Sequence, residues 1–182
     1  MSTSTYIALL RGINIGPHKR IKMEALQRSL RELGFADVKT YIQSGNVVFK
    51  TATTDTTRLA NKIEKKLLSA FGFPVPAIVR TPSELHQLVQ KNSFLKEAGI
   101  DTSKLHVTFL SGSPEKAVLK SLDTIAAGPD RARWNEKEIY LHCPNGYGET
   151  KLSNGALEKA LTVTATTRNW KTVTKLYEMT LE

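Results

Sequence analysis

Cysteine is almost absent. Cys143 stands alone, which excludes an intrachain disulfide and a zinc site built on cysteines, and makes a reducing, cytoplasmic setting the default expectation. Long apolar runs are missing as well. No stretch approaches the roughly 18 to 20 residues that cross a bilayer, so no membrane partner is expected. The polar first residues run straight into a strand-like segment, without the basic region, apolar core and cleavage site of a signal peptide. His18, His86, His106 and His142 lack metal-ligand spacing, no Gly-x-Ser-x-Gly elbow or phosphate-loop motif occurs, and no carboxylate pair stands out. No metal or cofactor is therefore expected, and no catalytic residue is assigned; whether the protein is an enzyme stays open. A lone cysteine at a strand end reads more readily as a small packing residue than as a nucleophile.

What remains is the composition of an ordinary globular protein, 40% hydrophobic and 24% charged. The net charge of +9 is unevenly placed: residues 1–80 hold 13 Lys and Arg against 5 Asp and Glu, and residues 81–182 hold 13 against 12. Such asymmetry suits an anionic partner, and it suits a solubility charge on helix faces equally well.

The periodicity gives an order of elements. Residues 6–10 and 77–80 read as strands. A helix over 22–33 carries Met23, Leu26, Leu30 and Leu33 on one face and stops at Gly34. Runs 38–42 and 46–49 are β-rich and joined by Gln43-Ser44-Gly45. A second helix, capped by Thr54 or Asp55, presents Leu59, Ile63, Leu67 and Phe71. The order β-α-β-β-α-β predicts an α+β fold, with a ferredoxin-like antiparallel sheet over residues 1–80 and both helices on one face.

Residues 81–182 read as a similar but incomplete α+β unit packed beside it. Thr81-Pro82 is the boundary, and Thr81, Pro82 and Glu84 form a capping box for the next helix. Then come a strand over 104–110, a helix from Ser113 with Val118, Leu119 and Leu122 inward, and a hairpin over 132–135 and 138–142. Two helices close the chain, over 153–161 and 168–179, the second capped by Thr167.

The topology gathers polar residues at one edge. Strand one ends where the turn between strands two and three lies, so Arg11, Gly12, Asn14 and Gly16 come beside Gln43, Ser44, Gly45 and Asn46. Glycines admit backbone close to a ligand, and turn N–H groups cradle anions. One reading is a concave site for a phosphate or nucleotide, lined by Arg11, Asn14, Gln43 and Asn46 with Arg11 as the main anion contact. The other is a set of turn residues, with Arg11 paired to a carboxylate or carbonyl. Lys151, at a loop-to-helix junction, and Arg168 and Asn169, at a helix start, are further candidates. Trp170 belongs to a core stripe with Val173, Leu176 and Tyr177.

Residues 6–16 (YIALLRGINIG), 40–49 (TYIQSGNVVF) and 167–176 (TRNWKTVTKL) together resemble the bacterial family "domain of unknown function 1697" over essentially the whole chain. Pro17-His18 departs from the small residue expected after Gly16. The resemblance implies a bacterial, cytoplasmic α+β protein and brings no activity with it. Its motif residues include Tyr41 together with most of the polar set above. The leading expectation is therefore a small anionic ligand at that edge. A nucleic-acid-binding module ranks second, because strands one and three lack the basic-Gly-aromatic opening and paired stacking rings of the RNA-recognition fold. A protein-interaction domain without a small ligand ranks third.

Overall fold

The computed structural model describes residues 3–115, 118 and 128–182. β1 (Ser4–Leu10) and β3 (Asn46–Thr51) are buried along nearly their whole length, and alternate side chains of each go to one core. Tyr6, Ala8 and Leu10 share a face with Val47 and Phe49, and that face is covered by α1 (Met23–Arg31) and α2 (Thr56–Phe71). The helical stripes Leu26 and Leu30, and Leu59, Ile63 and Leu67, are fully buried against it. Each such side chain contributes about 2 kcal/mol by leaving water. With β2 (Ala36–Tyr41) and β4 (Ala77–Arg80) the strands run in the order β2-β3-β1-β4, every pair antiparallel. This is the ferredoxin-like arrangement expected from the element order, with both helices on one face.

Local chemistry explains the helix ends. Asp55 accepts a hydrogen bond from the Arg58 N–H at 3.0 Å, and Gly72, at φ 78°, closes α2 through its N–H to the Leu68 carbonyl. α1 ends at Arg31, short of Gly34, which takes φ 82° in the turn that follows. The capping box is formed: the Thr81 N–H and hydroxyl donate to Glu84, and the Glu84 N–H donates to Thr81 Oγ1, opening α3 (Pro82–Lys91).

The second sheet repeats the strand order of the first with a fourth strand that the reading of an incomplete α+β unit did not include. Strands β5 (Leu105–Leu110), β6 (Arg131–Asn135), β7 (Glu138–His142) and β8 (Ala165–Asn169) run in the order β6-β7-β5-β8, again all antiparallel. α4 (Asn154–Leu161) is capped by Ser153 and packs Leu157 and Leu161 onto Leu110, Ile139, Leu141 and Ala165. The fourth strand occupies part of what reads as the closing helix. Because Asn169 pairs with His106 in the sheet, that helix, α5 (Trp170–Met179), cannot begin at Arg168. Its cap is Asn169, whose Oδ1 accepts from the Thr172 N–H at 2.8 Å, and not Thr167, whose hydroxyl bonds Thr108 and Asn154 inside the unit. The helix expected from Ser113, with Leu119 and Leu122, lies largely outside the described residues; Val118 packs at the margin of the second core.

The chain divides into Met1–His86 with Leu176–Glu182, and Gln87–Lys175. The division falls inside α3 and α5, whereas the sequence suggested Thr81-Pro82. The His86 ring nitrogen, 2.6 Å from the Tyr177 hydroxyl, ties the returning tail to the first unit.

Candidate functional site

The segment after β1 is fastened to the β2–β3 turn by backbone and by one amide. The Leu10 N–H donates to the Gly45 carbonyl at 2.8 Å, and the Arg11 N–H to the Pro76 carbonyl at 2.9 Å. The chain then coils through Gly12, Asn14 and Gly16 at φ 75°, 56° and 71°. Asn14 closes this coil: Oδ1 accepts from the Ile21 N–H at 2.9 Å, and Nδ2 donates to the Ile21 carbonyl at 3.0 Å and the Gln43 carbonyl at 2.7 Å. Gly45 is required opposite it. Its φ is +79°, and a Cβ there would stand 2.8 Å from both Ile13 Cδ1 and Leu10 Cβ.

The expected edge therefore forms, but its members divide by role. Gln43 is exposed, while Arg11, Gly12, Tyr41 and Ser44 are half-buried and Gly16 is exposed. Asn46 does not line a concavity. It is fully buried, and its Nδ2 donates to the Tyr41 carbonyl at 3.0 Å and to Ser44 Oγ at 2.9 Å. Asn14 likewise spends its amide on the chain. Both asparagines satisfy turn backbone that would otherwise lack partners, so each braces its turn.

Charge distinguishes this edge. Residues 11–22 contain Arg11, Lys19, Arg20 and Lys22 and no Asp or Glu. His18, Lys19, Arg20 and Lys22 are exposed, and the Lys19 ammonium donates to a neutral acceptor, the Pro74 carbonyl, at 3.4 Å. A braced loop with exposed cations on its rim and no carboxylate of its own presents a positive potential that attracts an anion.

The remaining candidates belong to the second unit. Lys151 is exposed. Arg168 is buried on β8, where its guanidinium donates to Thr166 Oγ1 at 2.7 Å and to the Thr167 carbonyl at 2.9 Å. Asn169 caps α5, as described above. Trp170 is buried, with Val173 and Leu176. Cys143 is fully buried, and burial pushes its thiol up to about 11, so little nucleophilic thiolate exists at neutral pH.

The sequence reading missed a charged cluster in the second unit. Arg131 forms a two-pronged bond with Glu97, at 3.1 and 2.8 Å, and Arg133 bonds the same carboxylate. Both guanidinium groups lie over the Phe94 ring, 5.0 and 4.0 Å from its centre. The hydrogen bond from Arg131 is the largest cause holding the Glu97 carboxyl below its usual range. The period-two spacing of Arg131 and Arg133 on a strand was the available signal. A cavity of about 400 Å³ adjoins the cluster, lined in part by Glu97, Asp101, Lys104, Arg131 and His142. Its charges are of both signs and Arg131 is already committed, so it has no net demand for an anion. Among the described residues no three His, Cys, Asp or Glu side chains converge to hold a metal ion, and no helix is long and apolar enough to cross a membrane.

Two antiparallel four-stranded sheets with helices, one of them bearing a basic loop on its edge, define an α+β protein of two units with the same strand order. The sequence profile of the family described as "Protein of unknown function (DUF1697)" matches residues 3–140, and the chain belongs to that family. No curated protein matches it significantly. A solved structure titled "The structure of conserved bacterial protein SP0830 from Streptococcus pneumoniae" is similar with a TM-score of 0.73 and 20% identity, over 98% of this chain and 99% of the other. That likeness supports the fold.

Proposed function

We propose that the protein binds a small anion, phosphate- or nucleotide-like, at the edge of the first sheet formed by residues 11–22 and the 42–45 turn. The carrying observation is the acid-free loop with Arg11, Lys19, Arg20 and Lys22, held in one shape by the three hydrogen bonds of Asn14. Arg11 supplies a planar fork of donors at the root of the loop, which Lys would not reproduce. The exposed cations on the rim attract the ligand. Cys143, single and buried, supports a cytoplasmic setting for this activity.

Thermal unfolding of the full chain with inorganic phosphate and pyrophosphate tests the reading. A ligand at 100 times its dissociation constant stabilises by about 2.7 kcal/mol. Arg11→Ala, compared with and without ligand, should lose that ligand-induced gain whatever its own melting temperature. An Arg11→Ala protein that still gains normally would overturn the assignment.

A further inference from the structure

Two side chains at this edge are out of keeping with a site for a bare oxyanion. Ile15 is 72% exposed and Ile42 is 50% exposed. They flank the two ends of one hydrogen bond, since Ile15 follows Asn14, Ile42 precedes Gln43, and Asn14 Nδ2 bonds the Gln43 carbonyl at 2.7 Å. Ile42 is also held at φ 51°. A branched side chain is disfavoured in that left-handed region, where glycine or asparagine sits readily. Burial does not offset the strain, because the side chain stands half in water. The surroundings impose it: Asn46 anchors the Tyr41 carbonyl and the Ser44 hydroxyl on either side of Ile42 and Gln43. Backbone strain retained in this way, against a residue's own preference, is characteristic of ligand clamps.

We propose that the site takes a small anion carrying a flat apolar ring, of the nucleoside monophosphate class. The phosphate meets the cations of residues 11–22, and the ring lies against Ile15 and Ile42. This rests on the anion-binding reading above and specifies its ligand. A bare phosphate or a sugar phosphate satisfies the cations and leaves both isoleucines in water. A ring placed on them removes apolar surface from water on both partners. The cations sit on a single short loop, which matches one phosphate group better than a tracked polynucleotide backbone.

Calorimetric titration of the full chain with inorganic phosphate, ribose 5-phosphate and adenosine 5′-monophosphate provides the test. The nucleotide should bind about tenfold more tightly than ribose 5-phosphate, the scale of covering one large aliphatic side chain. Ile42→Gly, which suits the observed φ and should melt no lower than the wild type, should erase most of that advantage, read as the ratio of the nucleotide and ribose 5-phosphate affinities within the one variant. Ile15→Ser should do the same independently. Equal affinity for the two phosphates, or an advantage that survives both substitutions, would overturn this proposal and leave the anion site standing. Failure of all three compounds to bind would overturn both.

Discussion

In the first unit the turn between β2 and β3 spans residues 42–45 and accepts the Leu10 N–H at Gly45; in the second, the matching turn is Glu136 and Lys137, and Lys137 accepts the Leu110 N–H at the same 2.8 Å. Arg11 and Ser111 then occupy equivalent places, donating to Pro76 and Thr164. Ile7 faces Arg80 across one sheet, and Val107 faces Arg168 across the other. In each unit the next residue, Thr81 or Asn169, caps a helix. The two sheets thus share one strand order and one register of pairing. They differ in what is attached: a long basic loop and a strained turn on one, Ser111 and a tight hairpin on the other. Topology fixes the sheet, and the loops hung on its edge decide what the edge can bind.

The equivalence can be broken by paired substitutions. Leu10→Ala and Leu110→Ala should each cost about 3 kcal/mol in urea unfolding, because both side chains are fully buried at the same register. A loss below about 1 kcal/mol in either would end the parallel. Gly45→Ala should cost about 2 kcal/mol, from its positive φ and the contacts with Ile13 and Leu10, while Lys137→Ala, at the equivalent carbonyl, should cost no more than about 1 kcal/mol. Asn14→Ala, with no counterpart in the second unit, should cost about 1.5 kcal/mol by leaving the Ile21 N–H without its acceptor. Ile42→Gly should raise stability, by about 0.5 kcal/mol, as strain relief exceeds the added freedom of the unfolded chain.

A titration sharpens the comparison from the other side, because only the second unit has a thiol. Burial favours the neutral thiol of Cys143, raising it from 9.0 to about 11. The folded protein therefore keeps a proton that the unfolded chain has lost. The associated stability is full below pH 9 and declines as pH rises toward about 11. Unfolding measured across this window should show a shallower alkaline decline in Cys143→Ala than in the wild type.

Where side chains follow a helical or strand period, the sequence announced the structure. The Leu26–Leu30 and Leu59–Ile63–Leu67 stripes, the Thr81–Glu84 box and both hairpins were legible because each is a local pattern with a local cause. β8 was not. Its core is threonine and arginine rather than an apolar run, and it enters α5 with no loop between them, so Arg168 and Asn169 read as helix. The edge site was half legible. Topology brought residues 11–16 and 43–46 together, yet residue type does not say which way an amide turns. Asn14 and Asn46 point into the chain because the coiled backbone at φ 56° and the β2–β3 turn carry N–H and carbonyl groups that need them. The left-handed Ile42 gave no sequence signal, since its conformation is imposed by neighbours against its own preference.

The central claim is that the basic loop of the first unit, and not the repeated sheet itself, makes the anion site. The most direct test is the phosphate-induced shift in melting temperature, measured at one ionic strength for the wild type, Arg11→Ala and Lys151→Ala, the last altering an exposed cation of the second unit. At saturation the wild type and Lys151→Ala should gain the same several degrees, from a stabilisation of about 2.7 kcal/mol, and Arg11→Ala should gain nothing. An unchanged gain in Arg11→Ala, or its loss in Lys151→Ala alone, would contradict the account.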